Sequence, residues 1–530
     1  MSRTRIRIGT RKARWTRAGV TGAAAVAIAA ALCPAATATA TAARPAAAVP
    51  APVPERYTAQ RLVWEPCAPG ATLECAPMTV PRDWHHPGAG ADLTVRVSRQ
   101  RAADPARRRG TLLMAAGGPG GEGLLRPTGF VKAAPKIAEV YDVVGFDQRG
   151  VGRSTRVSCQ DDAEFADFFA GDFRDRSPAA LRRVLDNSRK FVAGCQARSG
   201  DLLPYLTTEQ TARDVDLYRA LLGERKISYY GPSYASKLGA TYATLFPRHV
   251  ERVVLDSNIA FDGTWEEFEK GQPMSFQRRF EEDFLPWLAR YDDVYHYGRT
   301  PAEAKARWEE RRRALGARPL TIGGGRTLAP NQFDNGAILA LYKGGTFPLL
   351  AGALAALDHW DTATDEERRN VDLIFGRYLS KEFLAEFFSV TCNDTPWTRD
   401  TAQWVRQTAE DAARYPLMGA RALAFAATCA AWPAGTAPRV DVTGEGLPPV
   451  LMLNSLHDPA TYYEGARRAH RALRGSRLVT VTGGDHGQYL EKNACVDAIV
   501  DRYLLTGAAP DRDTTCAATP LPVPAGHTAR

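Results

Sequence analysis

A short stretch in the middle of the chain constrains its fold more than any other feature of the sequence. Residues 227–230 form an apolar run of strand length, and residues 236–245 have helical character. Between them, residues 231–235 read Gly-Pro-Ser-Tyr-Ala and predict a tight strand-to-helix turn with Ser233 at its apex. The pattern approaches G-x-S-x-G, in which a strained turn lifts a serine hydroxyl above a sheet. Ser233 is therefore the candidate nucleophile. Ala235 replaces the last glycine, which is tolerable if that position does not need a positive φ.

Other apolar runs along the chain also end in loops rich in glycine or polar residues. Runs at 111–115 and 141–146 stop at Gly-Gly-Pro-Gly-Gly (117–121) and Asp-Gln-Arg-Gly-Val-Gly (147–152). Further strand patterns occupy residues 93–98, 250–255, 449–453 and 476–482, and residues 207–222 have the pattern of a capped helix. Buried strands separated by helices predict an α/β fold with a mostly parallel central sheet covered on both faces.

The character of the chain changes between residues 261 and 440. Strand patterns are absent there, and helical patterns rich in Trp, Phe, Glu and Arg cover 265–290, 301–315, 335–357 and 365–388. We interpret 261–440 as a helical cap inserted into a sheet domain formed by 61–260 and 441–516. Residues 517–530 form a tail.

The N-terminus has the pattern of an export signal. Basic residues populate positions 3–17, an apolar stretch covers 18–32, and several A-x-A sites lie within 36–42. Fifteen apolar residues are short for a membrane span, which needs about 20. Residues 1–42 therefore predict a cleaved signal peptide and a secreted protein without stable membrane association, with an uncleaved anchor as the alternative. Residues 43–60 predict a disordered leader or pro-segment.

The net charge of +9 comes almost entirely from this N-terminal segment. Residues 1–50 hold eight Lys and Arg and no acid, so that 60 basic and 59 acidic residues remain in the rest of the chain. A balanced mature chain gives no indication of a nucleic-acid partner.

Eight cysteines follow Cys33, an even number that suggests disulfides in an exported chain. Eight cysteines allow 105 connectivities, of which pairing by sequence neighbours is one: Cys67–Cys75, Cys159–Cys195, Cys392–Cys429 and Cys495–Cys516. Their spacing does not match a zinc site, and the sequence implies neither a metal nor an organic cofactor.

A serine nucleophile needs a base and an acid that orients the base. His486 is the base candidate because it lies in Gly-Gly-Asp-His-Gly (483–487) after the last strand pattern. Asp458, in the loop after residues 449–453, is the acid candidate. Asp256 is its rival because it also ends a strand, whereas Asp485 is the immediate neighbour of His486 and is poorly placed to face it. The chain order Ser, Asp, His is that of the α/β-hydrolase fold.

The developing oxyanion needs hydrogen-bond donors. The backbone N–H of Tyr234, directly after the serine, is one candidate. Gly118 in the 117–121 loop is the other, with Gly117 as its alternate. The Walker pattern G-x-x-x-x-G-K-[ST] does not follow, which excludes a phosphate loop of that kind. The charged residues 147–154 favour a structural loop over direct catalysis.

Taken as a set, these motifs resemble the secreted bacterial tripeptidyl aminopeptidases, serine exopeptidases of the α/β-hydrolase fold related to prolyl aminopeptidases. The motifs lie at 80–84, 117–121, 145–154, 207–214, 231–235 and 246–256, together with the Asp458 and His486 loops. The resemblance implies peptide substrates with a free N-terminus, from which short fragments, commonly tripeptides, are removed.

A free α-amino group calls for a carboxylate beneath the cap. Asp394 falls in a family-like position and is the candidate amine anchor, with Glu266 and Glu269 as competitors. Two alternatives remain open: a hydrolase of small-molecule esters, amides or lactones, and a non-catalytic binding protein, because a fold does not determine a substrate. The sequence makes no prediction of the oligomeric state.

Overall fold

The computed structural model describes residues 53–376, 379–433, 435 and 437–527. The predicted signal peptide and the predicted leader up to residue 52 lie outside the described residues. Across the ranges given above, no helix is both long enough and apolar enough to cross a membrane.

A central sheet organises the described part of the chain. Its strand order is β1-β2-β3-β5-β4-β6-β7-β10-β11-β12, and a separate hairpin pairs β8 with β9. The strands are β1 Glu65–Pro66, β2 Glu74–Val80, β3 Leu93–Gln100, β4 Gly110–Met114, β5 Tyr141–Phe146, β6 Ile227–Pro232, β7 Val250–Asp256, β8 Leu320–Ile322, β9 Arg326–Leu328, β10 Val450–Ser455, β11 Arg477–Val481 and β12 Thr514–Cys516.

From β5 to β12 the strands of the central sheet pair in parallel, and β1, β2 and β3 extend it by antiparallel pairing. In this register Pro232 at the end of β6 pairs with Asp256, and Asp256 pairs with Leu453 of β10. The loops after β4, β6, β7, β10 and β11 therefore meet at one edge, where ligands bind in open parallel sheets.

Helices cover both faces of this sheet and build the cap. The first are α1 Glu55–Thr58, α2 Arg126–Ala133, α3 Pro135–Val140, α4 Asp162–Phe168, α5 Pro178–Ser199, α6 Thr208–Leu221, α7 Tyr234–Leu245, α8 Trp265–Arg278 and α9 Leu285–Arg290, with a π-helical turn at Arg279–Phe284. The rest are α10 Asp292–Tyr295, α11 Pro301–Ala317, α12 Pro330–Ala340, α13 Phe347–Asp358, α14 Asp365–Phe375, α15 Lys381–Asp394, α16 Thr401–Arg414, α17 Ala422–Ala431, α18 Tyr463–Ala472 and α19 Ala494–Thr506.

Each strand sends alternate side chains to opposite faces, and this alternation creates two cores. In β4, Leu113 packs in the core beneath α6 and α7, whereas Leu112 and Met114 pack in the core beneath α2, α3 and α19. Burial on both faces explains why these strands are continuous apolar runs in the sequence. The α/β-hydrolase fold class predicted from the sequence is confirmed.

Most of the cap has a hydrophobic core of its own, in which aromatic rings such as those of Phe280, Trp308 and Phe333 are packed. Three features differ from the sequence prediction. The predicted helix 365–388 is divided into α14, which ends at Phe375, and α15, which begins at Lys381. The hairpin β8–β9 lies within the predicted helical region, and the predicted helix 335–357 is interrupted between α12 and α13 at Gly344 and Gly345. Glycine adds conformational freedom that opposes a continuous helix.

The segment before residue 60 also differs from the predicted disordered leader. The side chain of Tyr57 is fully buried in the core, and its hydroxyl donates to Asp92 Oδ1 at 2.5 Å. The side-chain amide of Gln60 exchanges two hydrogen bonds of 2.8 Å with the backbone of Thr79. The ordered chain therefore begins before residue 60, because one aromatic side chain finds apolar contacts that the polar local sequence does not reveal.

The four disulfides join sequence neighbours: Cys67–Cys75, Cys159–Cys195, Cys392–Cys429 and Cys495–Cys516. The prediction of disulfides is confirmed. Of these bridges, Cys392–Cys429 ties α15 to α17, two helices of the cap.

Candidate active site

Ser233 lies at the sharp turn between β6 and α7. Its backbone angles are φ 61° and ψ −131°, a conformation that few residues other than glycine adopt. The turn is held because the Ser233 N–H donates to Asp256 O at 2.8 Å and the Ser236 N–H donates to Ser233 O at 2.8 Å. A Cβ on Gly231 would lie 2.5 Å from the carbonyl oxygen of Ala235, so that position must be glycine.

Ala235 is fully buried in the first turn of α7, and its φ is not positive. Its carbonyl oxygen accepts a 2.7 Å hydrogen bond from the hydroxyl of Tyr229. The turn therefore needs a positive φ at Ser233 and not at Ala235. Alanine is therefore compatible with this position, because the position does not need a positive φ.

Asp458 and His486 face each other across the edge of the sheet. His486 Nδ1 lies 2.9 Å from Asp458 Oδ1 and 3.1 Å from Oδ2. Asp458 is fully buried, and its carboxylate also accepts from the backbone N–H groups of Ala460 and Thr461 at 3.0 and 2.8 Å. The hydroxyl of Thr461 donates to Oδ2 at 2.9 Å. These donors stabilise the ionised carboxylate and hold it towards the imidazole.

The cap contributes to the placement of His486. Its backbone N–H donates to the carbonyl oxygen of Tyr342 at 2.8 Å, and the Tyr342 ring meets the imidazole edge to face at 5.1 Å. Ser233 and His486 line the same cavity of about 520 Å³. The structure thus brings the three predicted residues to one site.

The glycine loop after β4 reaches the same cavity. A Cβ on Gly117 would lie 2.9 Å from Ser233 Cβ, and Gly118 has a φ of 121°. Neither the N–H of Gly118 nor that of Tyr234 donates to an acceptor in the described part of the chain. Both amides flank Ser233 and remain available to an oxyanion. The carboxylate of Asp147 holds the end of this loop by accepting from the Gly123 N–H at 2.9 Å.

Asp256, the rival acid, faces away from the imidazole nitrogens. Its carboxylate accepts from the backbone N–H groups of Gln488 and Tyr489, two and three residues beyond His486, and from the hydroxyl of Tyr230 at 2.9 Å. Asp485 binds Arg279 Nη2 at 2.6 Å. Both aspartates therefore hold the His486 loop in place, and within the described residues neither forms a hydrogen bond with its ring.

Aromatic side chains from the cap form much of the cavity wall. Phe268, Phe383, Phe387 and Phe425 line it. Phe383 stacks on Phe387 at 6.1 Å, and Phe387 meets Phe425 edge to face at 5.7 Å. Phe383 also contacts the glycine loop, because a Cβ on Gly118 would lie 3.0 Å from its ring.

Charged side chains occupy other parts of this cavity. Lys343 and Glu491 form an ion pair of 2.6 Å between the cap and the sheet domain, and Arg126 and Arg421 also line the space. Glu269, on α8, has 3% of its surface exposed and does not itself line this cavity. It interacts electrostatically with Arg421 and Tyr342, which both line it.

Glu269 is an unusual buried acid. Its Oε1 makes no hydrogen bond within the described residues. Burial raises the pKa of the Glu269 carboxyl to about 7, and the nearby Arg421 guanidinium opposes this rise only in part. Burial also lowers the pKa of Arg421. The sequence placed Glu269 only among the competitors of Asp394.

Asp394 is not brought to this cavity. It lines a separate space of about 170 Å³ together with Thr208 and Lys237. Glu266 is held by Lys270 Nζ at 2.7 Å and by the N–H of Thr398 at 2.6 Å. Of the three carboxylates that the sequence offered as amine anchors, only Glu269 interacts with side chains that line the catalytic cavity, among the contacts of the described residues.

Thr461 and Tyr342 are site residues that sequence reasoning missed. Thr461 follows Asp458 by three residues, a spacing at which a hydroxyl and a carboxylate can bond, and this signal was present in the sequence. Tyr342 lies in the cap, 144 positions from His486, and the sequence carried no signal of that contact.

A serine at a strained strand-to-helix turn, a histidine bonded to a buried aspartate and free loop amides at the edge of a parallel sheet define an α/β-hydrolase of the serine hydrolase class. The "Tripeptidyl aminopeptidase" of Streptomyces coelicolor is 37% identical over 484 residues, covering 87% of each chain. The chain belongs to the tripeptidyl aminopeptidase family. The family described as "TAP-like protein" matches residues 415–516.

The chain is also similar to two further proteins. "Carboxylesterase B" of Mycobacterium tuberculosis is 30% identical over 473 residues, covering 84% of this chain and 86% of that protein. Among solved structures, a proline iminopeptidase of Mycobacterium smegmatis has a TM-score of 0.34 at 15% identity, covering 81% of this chain and 98% of its own.

Proposed function

We propose that this serine hydrolase is an exported exopeptidase that releases short fragments, commonly tripeptides, from peptides with a free N-terminus. The observation that carries the proposal is the bond between His486 Nδ1 and Asp458 at 2.9 Å, in a cavity that Ser233 also lines. The 37% identity to a tripeptidyl aminopeptidase supports the choice of substrate.

The proposed reaction proceeds through an acyl-enzyme. The Ser233 hydroxyl attacks the scissile carbonyl while His486 takes its proton, and the tetrahedral oxyanion accepts hydrogen bonds from the N–H groups of Gly118 and Tyr234. His486 then protonates the departing amine. Water, deprotonated by the same imidazole, releases the N-terminal fragment from Ser233. Asp458 orients the imidazole and stabilises its protonated form throughout.

The free amino group of the substrate needs a negative charge in a site from which water is excluded. Glu269 can supply one when ionised, because it interacts with Arg421 in the cavity wall and its Oε1 has no hydrogen-bond partner among the described residues. A buried, uncompensated carboxylate is costly, and a bound ammonium group would lower that cost. We therefore assign the amine anchor to Glu269.

The acyl side of the scissile bond faces an apolar wall. Phe383 packs against Gly118, one of the two oxyanion donors, and Phe387 and Phe425 continue the same wall. When the scissile carbonyl binds at Gly118, the side chain of the substrate residue that carries this carbonyl would lie beside these rings. We expect apolar residues to be preferred at the cleaved position, since their burial is favourable by about 25 cal/mol per Å².

Export is part of the proposal. The signal-peptide pattern of residues 1–42 and the four disulfides support a secreted protein, because disulfides persist in oxidising compartments. Sequencing the N-terminus of the protein recovered from culture medium tests this part. A product retained in the cell with residue 1 intact would contradict it.

The decisive assay compares a tripeptide p-nitroanilide with its N-acetylated form. An anchored amine predicts that acetylation lowers kcat/KM by about 100-fold or more, because it removes a charge-assisted contact. Equal cleavage of both would contradict the exopeptidase proposal. Ser233→Ala should abolish both activities, and retained turnover in that variant would overturn the assignment of the nucleophile.

A small-molecule ester hydrolase is the second candidate function. The 30% identity to a protein named carboxylesterase B favours it. Rapid hydrolysis of p-nitrophenyl acyl esters together with inertness towards tripeptide amides would establish this alternative.

A further inference from the structure

Asp394, which the sequence suggested as an amine anchor, has a different set of contacts. It is the last residue of α15, and it accepts from the Thr208 N–H at 2.8 Å and the Thr208 hydroxyl at 2.5 Å. The indole N–H of Trp265 donates to the same carboxylate at 3.2 Å. Both oxygens are thus engaged by the protein, outside the catalytic cavity.

The contacts continue from Thr208 to the turn that carries the nucleophile. The hydroxyls of Tyr234 and Thr208 lie 3.1 Å apart, and the Thr208 proton is already committed to Asp394. The Tyr234 hydroxyl is therefore the donor of this bond. Tyr234 is 1% exposed and packs against Trp265 at 6.1 Å between ring centroids. Its backbone N–H, directly after Ser233, is one of the two proposed oxyanion donors.

The other end of α15 reaches the second oxyanion donor. Phe383, in the first turn of this helix, contacts Gly118 through its ring, and a Cβ on Gly120 would lie 2.8 Å from the carbonyl oxygen of Phe383. One cap helix is therefore connected to both proposed oxyanion donors. Its N-terminal turn contacts Gly118, and its last residue reaches Tyr234 indirectly, through Thr208.

The C-terminal end of α15 is firmly attached to its neighbours. Cys392 forms the disulfide with Cys429 of α17. The side-chain amide of Asn393 donates to Leu203 O at 2.6 Å and accepts from the indole N–H of Trp432 at 2.9 Å. The position of Asp394 is thereby set independently of substrate.

We propose that Asp394 is a positioning residue that acts through the Thr208 hydroxyl and the Tyr234 side chain to set the place of the Tyr234 N–H in the oxyanion hole. This inference rests on the proposed function. Misplacement of a catalytic group by about 1 Å can cost about 100-fold in rate. If the Tyr234 side chain is held less firmly, its backbone N–H will be displaced from the oxyanion. This displacement should lower kcat and leave KM nearly unchanged, because the N–H acts mainly on the transition state.

The test uses Thr208→Val and Tyr234→Phe, which each remove one hydroxyl of the chain and preserve side-chain shape. Two rates are measured: kcat for a tripeptide amide, and the rate at which a fluorophosphonate labels Ser233. We expect each variant to lower both rates about 10-fold with KM within about twofold, and the double variant to be no worse than either single one. Thr208→Ser, which keeps the hydroxyl, should restore the wild-type rates.

Thr211→Val is the matched control. Thr211 is buried on the same helix, and its hydroxyl donates to Thr207 O at 3.0 Å and forms no hydrogen bond with Asp394 or Tyr234 in the described part of the chain. Losses that multiply in the double variant, or an equal loss in Thr211→Val, would overturn the proposal. Asp394→Asn should lower the labelling rate. If it instead raises KM for a free-amine substrate alone, Asp394 is an amine anchor and the positioning role is wrong.

Labelling by the fluorophosphonate separates this inference from the proposed function, because it needs no peptide. Wild-type protein that is labelled but cleaves no peptide would refute the proposed function alone. Under that result, the labelling rates of the variants would still decide the role of Asp394.

Discussion

The carboxylate of Asp256 accepts the backbone N–H of Gln488 through both oxygens, at 3.0 and 2.9 Å. This contact holds the backbone of the loop that carries His486, whereas Asp458 contacts the His486 ring itself. Of the two aspartates that follow a strand, Asp256 thus supports the loop and Asp458 orients the imidazole.

Asp458→Asn and Asp256→Asn should therefore differ in their effect on kcat. We expect Asp458→Asn to lower kcat about 10⁴-fold, because the amide selects the wrong imidazole tautomer. Asp256→Asn should lower the free energy of unfolding by about 1–3 kcal/mol, since a buried N–H loses its acceptor, and reduce kcat less than about 10-fold. Steady-state kinetics and urea denaturation measure both. A larger kcat loss in Asp256→Asn would exchange the two assignments.

Ala235→Gly should be active but less stable. Ala235 is buried in α7 with a φ that is not positive, so glycine gains no conformational advantage there. Glycine in place of alanine in a helix costs about 1 kcal/mol. We expect thermal unfolding at a lower temperature and kcat within about twofold of the wild type. A marked gain in kcat would show that the alanine restricts catalysis.

Glu269 should make amine recognition depend on pH. As the pH rises through about 7, the buried carboxyl ionises and gains affinity for an ammonium group. Above about 8 the substrate amine loses its own proton. The ratio of kcat/KM for the free-amine substrate to that for its N-acetyl form should therefore peak between these two pH values. Glu269→Gln should flatten this ratio, and an unchanged peak would exclude Glu269.

The same residue should influence stability with a defined sign. The pKa of Glu269 is raised from 4.5 to about 7 in the folded chain, which therefore binds more protons than the unfolded chain within that window. Below about pH 4.5 the Glu269 carboxyl is neutral in both states, and its contribution to the stability of the folded chain is fully present. As the pH rises to about 7, about 3 kcal/mol of the free energy of unfolding is lost. The difference in the free energy of unfolding between Glu269→Gln and the wild type should therefore favour the variant more at pH 8 than at pH 4.5. Chemical denaturation at the two pH values measures the difference.

The disulfides should stabilise the chain unequally. Cys392–Cys429 spans 37 residues and Cys67–Cys75 spans 8. Loop-closure entropy then predicts losses of about 4 and about 2.5 kcal/mol when each pair is replaced by serine. The shorter bridge serves as the control for the chemical change itself. Equal losses measured by denaturant titration would contradict the loop-entropy account.

Much of the site was predictable because it is encoded locally. A glycine-flanked serine after an apolar run and an aspartate and a histidine after later runs are patterns that a strand-end loop imposes on its own residues. The parallel sheet could likewise be inferred from apolar strands alternating with helices, since burial on both faces requires that pattern. The same reasoning favoured Asp458 as the acid but left Asp256 as a rival, because both follow a strand.

The sequence by itself therefore determined the sheet, the order of Ser233, Asp458 and His486, and the number of cysteines available for pairing. Only the tertiary structure decided what each carboxylate contacts. Asp394 and Glu269 both lie on cap helices, but the packing of those helices turns the first towards Thr208 and places the second near Arg421, which lines the catalytic cavity. Contacts between residues far apart in sequence arise from packing, and helical periodicity alone does not specify which neighbour a helix face will meet.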